Sequence, residues 1–427
     1  MARRASFFAL PVMSKSPTLR LPTGMRDFAP RAAASRRRIA ETLLEVFERW
    51  GFARVITPAF EYEETLALGL GGAGRAAAIR FVEPSSGQVV ALRPDITPQI
   101  ARLIATRFRD EPGAVRLSYE GTVVRLERAG KGQRELIQAG VELAGVGSPA
   151  GDVEVIALGV AALRAAGLPR PTIDLGHLGL AREVMEALRL PEAIVAEARR
   201  RIAKRDATGL EELLREARGP AAAVRFAALL PELAGAPAVL ARAAKSAPTP
   251  GIKRALADLR AIVDAVEARG VDARLHVELG EVRGFDYYTG VRFQAFVPGA
   301  PDAVLAGGRY DDLLARYGRP SPAVGFAIDV EAAAGALEVG AQGDGAPARD
   351  ELANGAGGVL VTGPLAAASE AADELRRRGK RAVAELSGLT GGALDEYARR
   401  WGFTEVVRAG ARSVSNAKNG KTKTGRK

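Results

Sequence analysis

The 427-residue chain has no cysteine. That excludes a disulfide, a thiolate metal site and a thiol nucleophile. It has two histidines, His177 and His276, far apart in sequence. Neither a metal site nor a histidine-based triad is expected, and each is read as a packed or surface side chain. No apolar run approaches the ~18–20 residues of a membrane span. The short run Phe7–Met13 is broken by Pro11, which disfavours a secretory signal. A cytoplasmic chain with a floppy extension or an upstream start is expected. Acids are missing from both ends: residues 1–20 carry Arg3, Arg4, Lys15 and Arg20, and residues 413–427 carry Lys418, Lys421, Lys423, Arg426 and Lys427. Of the net charge of +11 these stretches hold +4 and +5, which leaves +2 for the body between them. A nearly neutral body lacks the broad basic footprint of a tRNA-sized ligand. Residues 1–16 and 413–427 are expected to be disordered.

What is there centres on Glu281–Gly290. Val282 and the alternation Val291, Phe293, Ala295 predict two strands joined at a tight glycine corner. Around that corner stand Arg283, Asp286, Tyr287, Tyr288 and Thr289. So many polar groups on apolar strands need partners. One reading is a pocket for a small ligand whose negative group is held by Arg283. The other is a tyrosine-rich hairpin with a satisfied ion pair.

Upstream, apolar spacing predicts a helix over 33–50, with Ile39, Leu43, Phe47 and Trp50 on one face and Gly51 closing it. Residues 52–60 read as a strand interrupted by Pro58, which suits an edge or an interface. Gly69–Gly74 fits G-x-G-x-x-G, but no strand precedes it and a hairpin over 79–93 follows. A dinucleotide site is therefore rejected in favour of a mobile loop. Asp95 and Thr97 stand where a strand meets a helix, and either could cap it. Residues 115–145 read as antiparallel strands, with Gln138 and Glu142 on one side of the return strand. Residues 152–166 form a helix, and about 175–270 is helical. A linker over 341–357 leads to a small α/β module at 358–412.

Arg283-Gly-Phe-Asp-Tyr-Tyr-Thr-Gly290 resembles the histidine-pocket signature of histidyl-tRNA synthetases, and Ala306-Gly-Gly-Arg-Tyr-Asp-Asp312 the strand turn that follows it there. The helix, strand and Pro58 resemble the first class II synthetase motif, which forms the dimer interface. Residues 115–145 resemble the second. In that likeness Arg125 is the arginine that clamps a carboxylate and a phosphate, a task its forked guanidinium suits. Gln138 and Glu142 match the imidazole readers. Asp95 and Thr97 match the pair that holds the amino acid, the acid being one carbon shorter. The turn at 129–132 is one residue short, so Arg128 and Gln133 are not carried over. Residues 321–331 resemble the third motif, but its closing arginine is Ala332 and its nucleotide-accommodating glycine is Asp329. A carboxylate there repels phosphates, so ATP is expected to bind weakly or not at all.

A kept amino-acid pocket, a broken nucleotide half and a short C-terminal module are similar to the regulatory subunit of the short-form ATP phosphoribosyltransferase, over about residues 17–410. The resemblance implies an α+β fold: a class II synthetase-like antiparallel sheet flanked by helices over 17–340, a helical insertion and a small C-terminal α/β module. It implies a chain with no catalysis, cofactor or metal of its own, which forms dimers and assembles with the short catalytic subunit. That enzyme carries out the first step of histidine biosynthesis, with this chain activating it and conveying feedback by free histidine. The histidine-binding set is then Asp95, Thr97, Arg125, Gln138, Glu142, Arg283, Tyr287 and Tyr288, with no role in tRNA binding. The alternatives are a histidyl-tRNA synthetase, a free histidine-binding module, and an empty pocket holding relic pairs Arg283–Asp286 and Arg125–Glu142.

Overall fold

The computed structural model describes residues 20–111, 113–126, 133–284, 287–342 and 357–410. The two terminal tails, most of the linker, Asp286 and Arg128 lie outside them. Helix α1 (Pro30–Arg49) opens on a proline at its first turn and buries Ile39, Leu43, Val46 and Phe47. Gly51 ends it at φ +80°, a conformation glycine adopts without a Cβ penalty. β1 (Ala53–Arg54) follows as an edge strand. β2 (Phe60–Tyr62), α2 (Glu63–Gly69), α3 (Gly72–Ala77), β3 (Arg80–Val82) and β4 (Val89–Leu92) come next. The sheet β2-β4-β3 is antiparallel, and β3 and β4 form the hairpin expected there. The glycine-rich segment forms a short helix instead of a loop, and a helix precedes it.

The main sheet has nine strands among the described residues. Its first half is built from α4 (Thr97–Arg107), β5 (Val115–Val124), β6 (Glu135–Ala144), α5 (Ala150–Ala165) and β7 (Thr172–His177). Helices α6 (Leu178–Leu188), α7 (Glu192–Ala203), α8 (Ala207–Leu214) and α9 (Ala221–Leu229) follow, then β8 (Ala234–Gly235), α10 (Val239–Ser246) and α11 (Pro250–Ala268). The chain returns through β9 (Arg274–Glu278), β10 (Val291–Phe296), β11 (Leu305–Arg309), β12 (Ala323–Asp329) and α12 (Val330–Gln342). The order is β1-β5-β6-β12-β11-β10-β7-β9-β8, antiparallel except for the pairs β1–β5 and β7–β9. Two features differ from the sequence reading. Glu281–Gly290 does not join a hairpin, because β7 lies between β9 and β10. Val282 lies outside any strand.

Register sorts the sheet into two faces. Ala139, Val141 and Leu143 share one with Val324, Phe326 and Ile328. That face packs on α1, α5 and α12, and Phe47 meets Phe326 edge to face at 5.7 Å. The opposite face carries Gln138, Gly140 and Glu142 on β6, Gly325, Ala327 and Asp329 on β12, then Arg292 and Gln294 on β10, Asp174 on β7 and His276 on β9. Polar residues gather there by strand period alone.

The C-terminal module comprises β13 (Val359–Thr362), α13 (Leu365–Arg377), β14 (Ala382–Ala384), α14 (Gly391–Arg400) and β15 (Glu405–Arg408). Its parallel sheet runs β14-β13-β15 over its own small cores around Val361, Ala368 and Ala372 and around Leu360 and Leu394. Among the described residues no helix is long and apolar enough to cross a membrane, and no cluster of residues could hold a metal. His177 is buried, its Nδ1 accepting the Leu180 amide at 3.1 Å to cap α6, and His276 pairs with Asp174 at 2.9 Å.

Candidate histidine-type pocket

A cavity of about 290 Å³ opens on the polar face of the sheet. Asp95, Thr97, Arg125, Gln138, Tyr287 and Tyr288 line it, together with Tyr310, Gly307, Gly325 and Asp329. Glu142 lies beneath it, 3% exposed. Its Oε1 accepts from Thr97 Oγ1 at 2.6 Å and from Tyr119 OH at 3.3 Å. Among the described residues its Oε2 has no partner, nor do Gln138 Oε1, Tyr287 OH and Tyr310 OH. Four buried, partnerless polar atoms around one cavity are a costly arrangement unless a ligand completes them.

Glycines make the room. A Cβ on Gly325 would stand 1.9 Å from Glu142 Oε2 and 2.5 Å from Tyr310 OH. One on Gly140 would stand 2.5 Å from Tyr119 OH, so that glycine lets the phenol cross β6 to Glu142. Arg309, just before Tyr310, is buried against Asp152 of α5 at 2.9 Å and fixes that end of β11.

Burial drives the Glu142 carboxyl well above the ordinary glutamate range, and the nearby Asp95 charge pushes the same way. Burial also lifts the Tyr288 phenol to about 12, and the Tyr287 phenol well above its ordinary value. Both tyrosines are therefore neutral hydrogen-bonding groups. Tyr287 packs edge-on against Tyr288 at 5.0 Å and tilts against Tyr310 at 5.4 Å.

At the mouth, Asp95 Oδ1 accepts the Thr97 amide at 3.1 Å, at the start of α4. The Arg125 guanidinium is steered by Nε donating to Pro94 O at 2.7 Å. Arg125 and Glu142 therefore have separate partners and do not form the relic pair. Arg283 does not line the cavity. Glu281 takes its guanidinium, with Nη2 to Oε2 at 2.7 Å and Nε to Oε1 at 3.0 Å, and also binds Arg292. The expectation that Arg283 holds the ligand's negative group gives way to Arg125, a cation that does line the cavity. Gln133 donates to Glu135 O, within its own turn.

Asp329 also lines the cavity and caps α12, its Oδ1 accepting the amides of Glu331 at 2.9 Å and Ala332 at 3.0 Å. Ala332 is half-buried against the main core and offers no polar group. Sequence reasoning misses Tyr310 and Tyr119. Tyr310 stands in the quoted glycine-rich turn, where a phenol after Gly-Gly-Arg is the available signal. Tyr119 has none beyond its alternation with Leu117 on β5.

Residues 24–333 match the family model described as histidyl-tRNA synthetase. The ATP phosphoribosyltransferase regulatory subunit of Geobacter sulfurreducens is 39% identical over 391 residues, 91% of this chain and 88% of that one. The namesake from Anaeromyxobacter dehalogenans is 42% identical over 347 residues, 81% and 99% of the two chains. The crystal structure of an ATP phosphoribosyltransferase regulatory subunit/histidyl-tRNA synthetase from Bacillus halodurans superposes with TM-score 0.79 at 27% identity, covering 93% of this chain and all of that one. A histidyl-tRNA synthetase from Nostoc shares the fold, with TM-score 0.71 at 18% identity over 90% of each chain. With a synthetase-like fold, an amino-acid-sized polar pocket and regulatory-subunit relatives over most of its length, the chain belongs to the ATP phosphoribosyltransferase regulatory subunit family of histidyl-tRNA synthetase-like proteins.

Proposed function

We propose that this chain is the non-catalytic regulatory subunit of an ATP phosphoribosyltransferase, activating a short catalytic subunit and binding free histidine as the feedback effector. The observation that carries the histidine reading is the set of four partnerless atoms Gln138 Oε1, Glu142 Oε2, Tyr287 OH and Tyr310 OH. A protonated imidazole presents one N–H to Glu142 Oε2 and the other to Gln138 Oε1. Asp95 takes the ammonium and Arg125 the carboxylate. At about 290 Å³ the cavity lies near the lower end of small-molecule pockets, which suits an amino acid better than a nucleotide. Asp329 and Ala332 support the absence of catalysis, one placing a carboxylate where phosphates would lie and the other lacking a cation. A receptor must bind histidine without consuming it, and a pocket without ATP anchors does so. Self-association as a dimer belongs to the same reading. It is supported by the exposed apolar side chains Phe60, Tyr62, Phe81, Val82 and Val89 on the small sheet.

The test is phosphoribosyltransferase activity of the short catalytic subunit, with and without this chain, across a histidine titration. Activation that histidine reverses is expected. No activation, together with histidine-dependent pyrophosphate exchange by the pure chain, would replace this reading with a synthetase.

A further inference from the structure

A second cavity, of about 490 Å³, adjoins the first. The two share Asp95, Arg125, Tyr287 and Tyr288. The groups that grip the imidazole do not reach it: Gln138 and Tyr310 line the first cavity alone. Its walls are mostly small and apolar, with Leu70, Ala73 and Ala77 of the α2–α3 region and Val282 among them. Arg199 of α7 adds a guanidinium.

This division fixes where a bound histidine can grow. Its imidazole points to Glu142, away from the second cavity. Its ammonium and carboxylate meet Asp95 and Arg125, which stand on the shared wall. Acylating the nitrogen removes the charge that Asp95 requires. Converting the carboxylate to an amide keeps a carbonyl oxygen that accepts from Arg125, and sends the new substituent through the shared wall. We propose that the second cavity is a subsite for the carboxyl substituent of histidine, so that the chain also binds histidine carboxamides and peptides that begin with histidine. The apolar wall suits a small second residue, and Arg199 matches the sign of a dipeptide's terminal carboxylate. The inference rests on the first cavity being the histidine site.

Calorimetry of the full chain with L-histidine, His-Ala and Ala-His tests it. His-Ala is expected to bind within about threefold of histidine. Ala-His, which lacks the free ammonium on its histidine, is expected to bind at least ~50-fold more weakly, as for a site built around a group the ligand lacks. Ala73 is exposed on a one-and-a-half-turn helix, so Ala73→Trp narrows the second cavity without entering the core. It is expected to weaken His-Ala by ~10-fold or more, about 1.4 kcal/mol, while histidine stays within about twofold. Val282→Phe, at a lining residue outside the α2–α3 region, is the second blocking variant. Histidine binding without His-Ala binding overturns the subsite alone, as does His-Ala binding that neither variant weakens. Absence of binding by histidine itself overturns the histidine reading, and the subsite with it.

Discussion

Glu142 holds two demands in one side chain. Burial raises its carboxyl well above the ordinary value of 4.5. For an acid raised in the folded state, the folded chain binds the extra proton. Stability is then full at low pH and falls as pH climbs past about 4.5 toward the raised value. Glu142→Gln removes that loss and keeps an oxygen for Thr97 and Tyr119. The ligand-free variant is expected to be more stable than the parent at pH 7–8, by a margin that shrinks as pH falls toward 5. Its histidine affinity is expected to fall by ~30-fold or more, as an uncharged group replaces the carboxylate that the proposed function sets against the imidazole. Thermal unfolding across pH 5–9 and calorimetry check the two halves, and a variant that loses stability and keeps affinity refutes the assignment. Gly325→Ala addresses the same oxygen from the other side. Its Cβ also meets Val141 O at 2.4 Å, so backbone must shift. A loss of about 1–3 kcal/mol in chemical unfolding is expected, with histidine binding abolished. At this scale most of the candidate site is legible in the sequence. Asp95, Thr97, Arg125, Gln138, Glu142, Tyr287 and Tyr288 all gather at the cavity or directly beneath it. Arg283 is the exception. Its neighbour Glu281, two residues away, competes for the guanidinium, and sequence alone does not rank that partner against a ligand.

At the scale of elements, α12 explains why Asp329 and Glu331 are as they are. In the family likeness Asp329 reads only as a displaced glycine, yet it caps the helix through two backbone amides. The Asp at a strand-to-helix junction is itself a capping signal. Asp329→Ala is expected to lose about 1 kcal/mol of stability in urea unfolding, and Asp329→Gly only a few tenths. An equal loss from both would deny the cap. Glu331, 5% exposed, accepts from Arg26 at 2.8 Å and from buried Arg36 at 2.7 Å. Both guanidiniums lie over the Phe28 ring. Removing one partner leaves a buried charge, so Glu331→Ala is expected to cost about 3–5 kcal/mol, read as a fall in the unfolding midpoint. Partners about 300 residues apart leave no local trace in sequence. Helices α1 and α5 and the hairpin β3–β4 follow local period and are legible. Strand β7 is not, because a six-residue strand whose only apolar side chains are Ile173 and Leu175, entering a helix-rich stretch, carries little pattern of its own. Without β7, the corner at 281–290 reads as a hairpin.

At the scale of the whole molecule, the proposed feedback role has a thermodynamic requirement. If histidine weakens or rearranges the complex with the catalytic subunit, that subunit must change histidine affinity by the same factor. Histidine that binds the free chain and the complex equally well shifts nothing, however tightly it binds. A coupling of about 1–3 kcal/mol, or 5–150-fold, is the ordinary range for such systems. The histidine dissociation constant is therefore expected to be at least ~5-fold weaker in the complex arrangement that is active than in the free chain. Calorimetry of this chain alone and with saturating catalytic subunit measures that ratio. Subunit affinity with and without histidine supplies the other side of the cycle, and the two ratios must agree. Glu142→Gln separates the possible sources of inhibition. With this pocket as the sensor, the variant complex stays active at histidine concentrations that silence the unmodified one. If the variant complex is inhibited as before, histidine acts through a different site, and the pocket beneath Tyr310 is not the one that reports it.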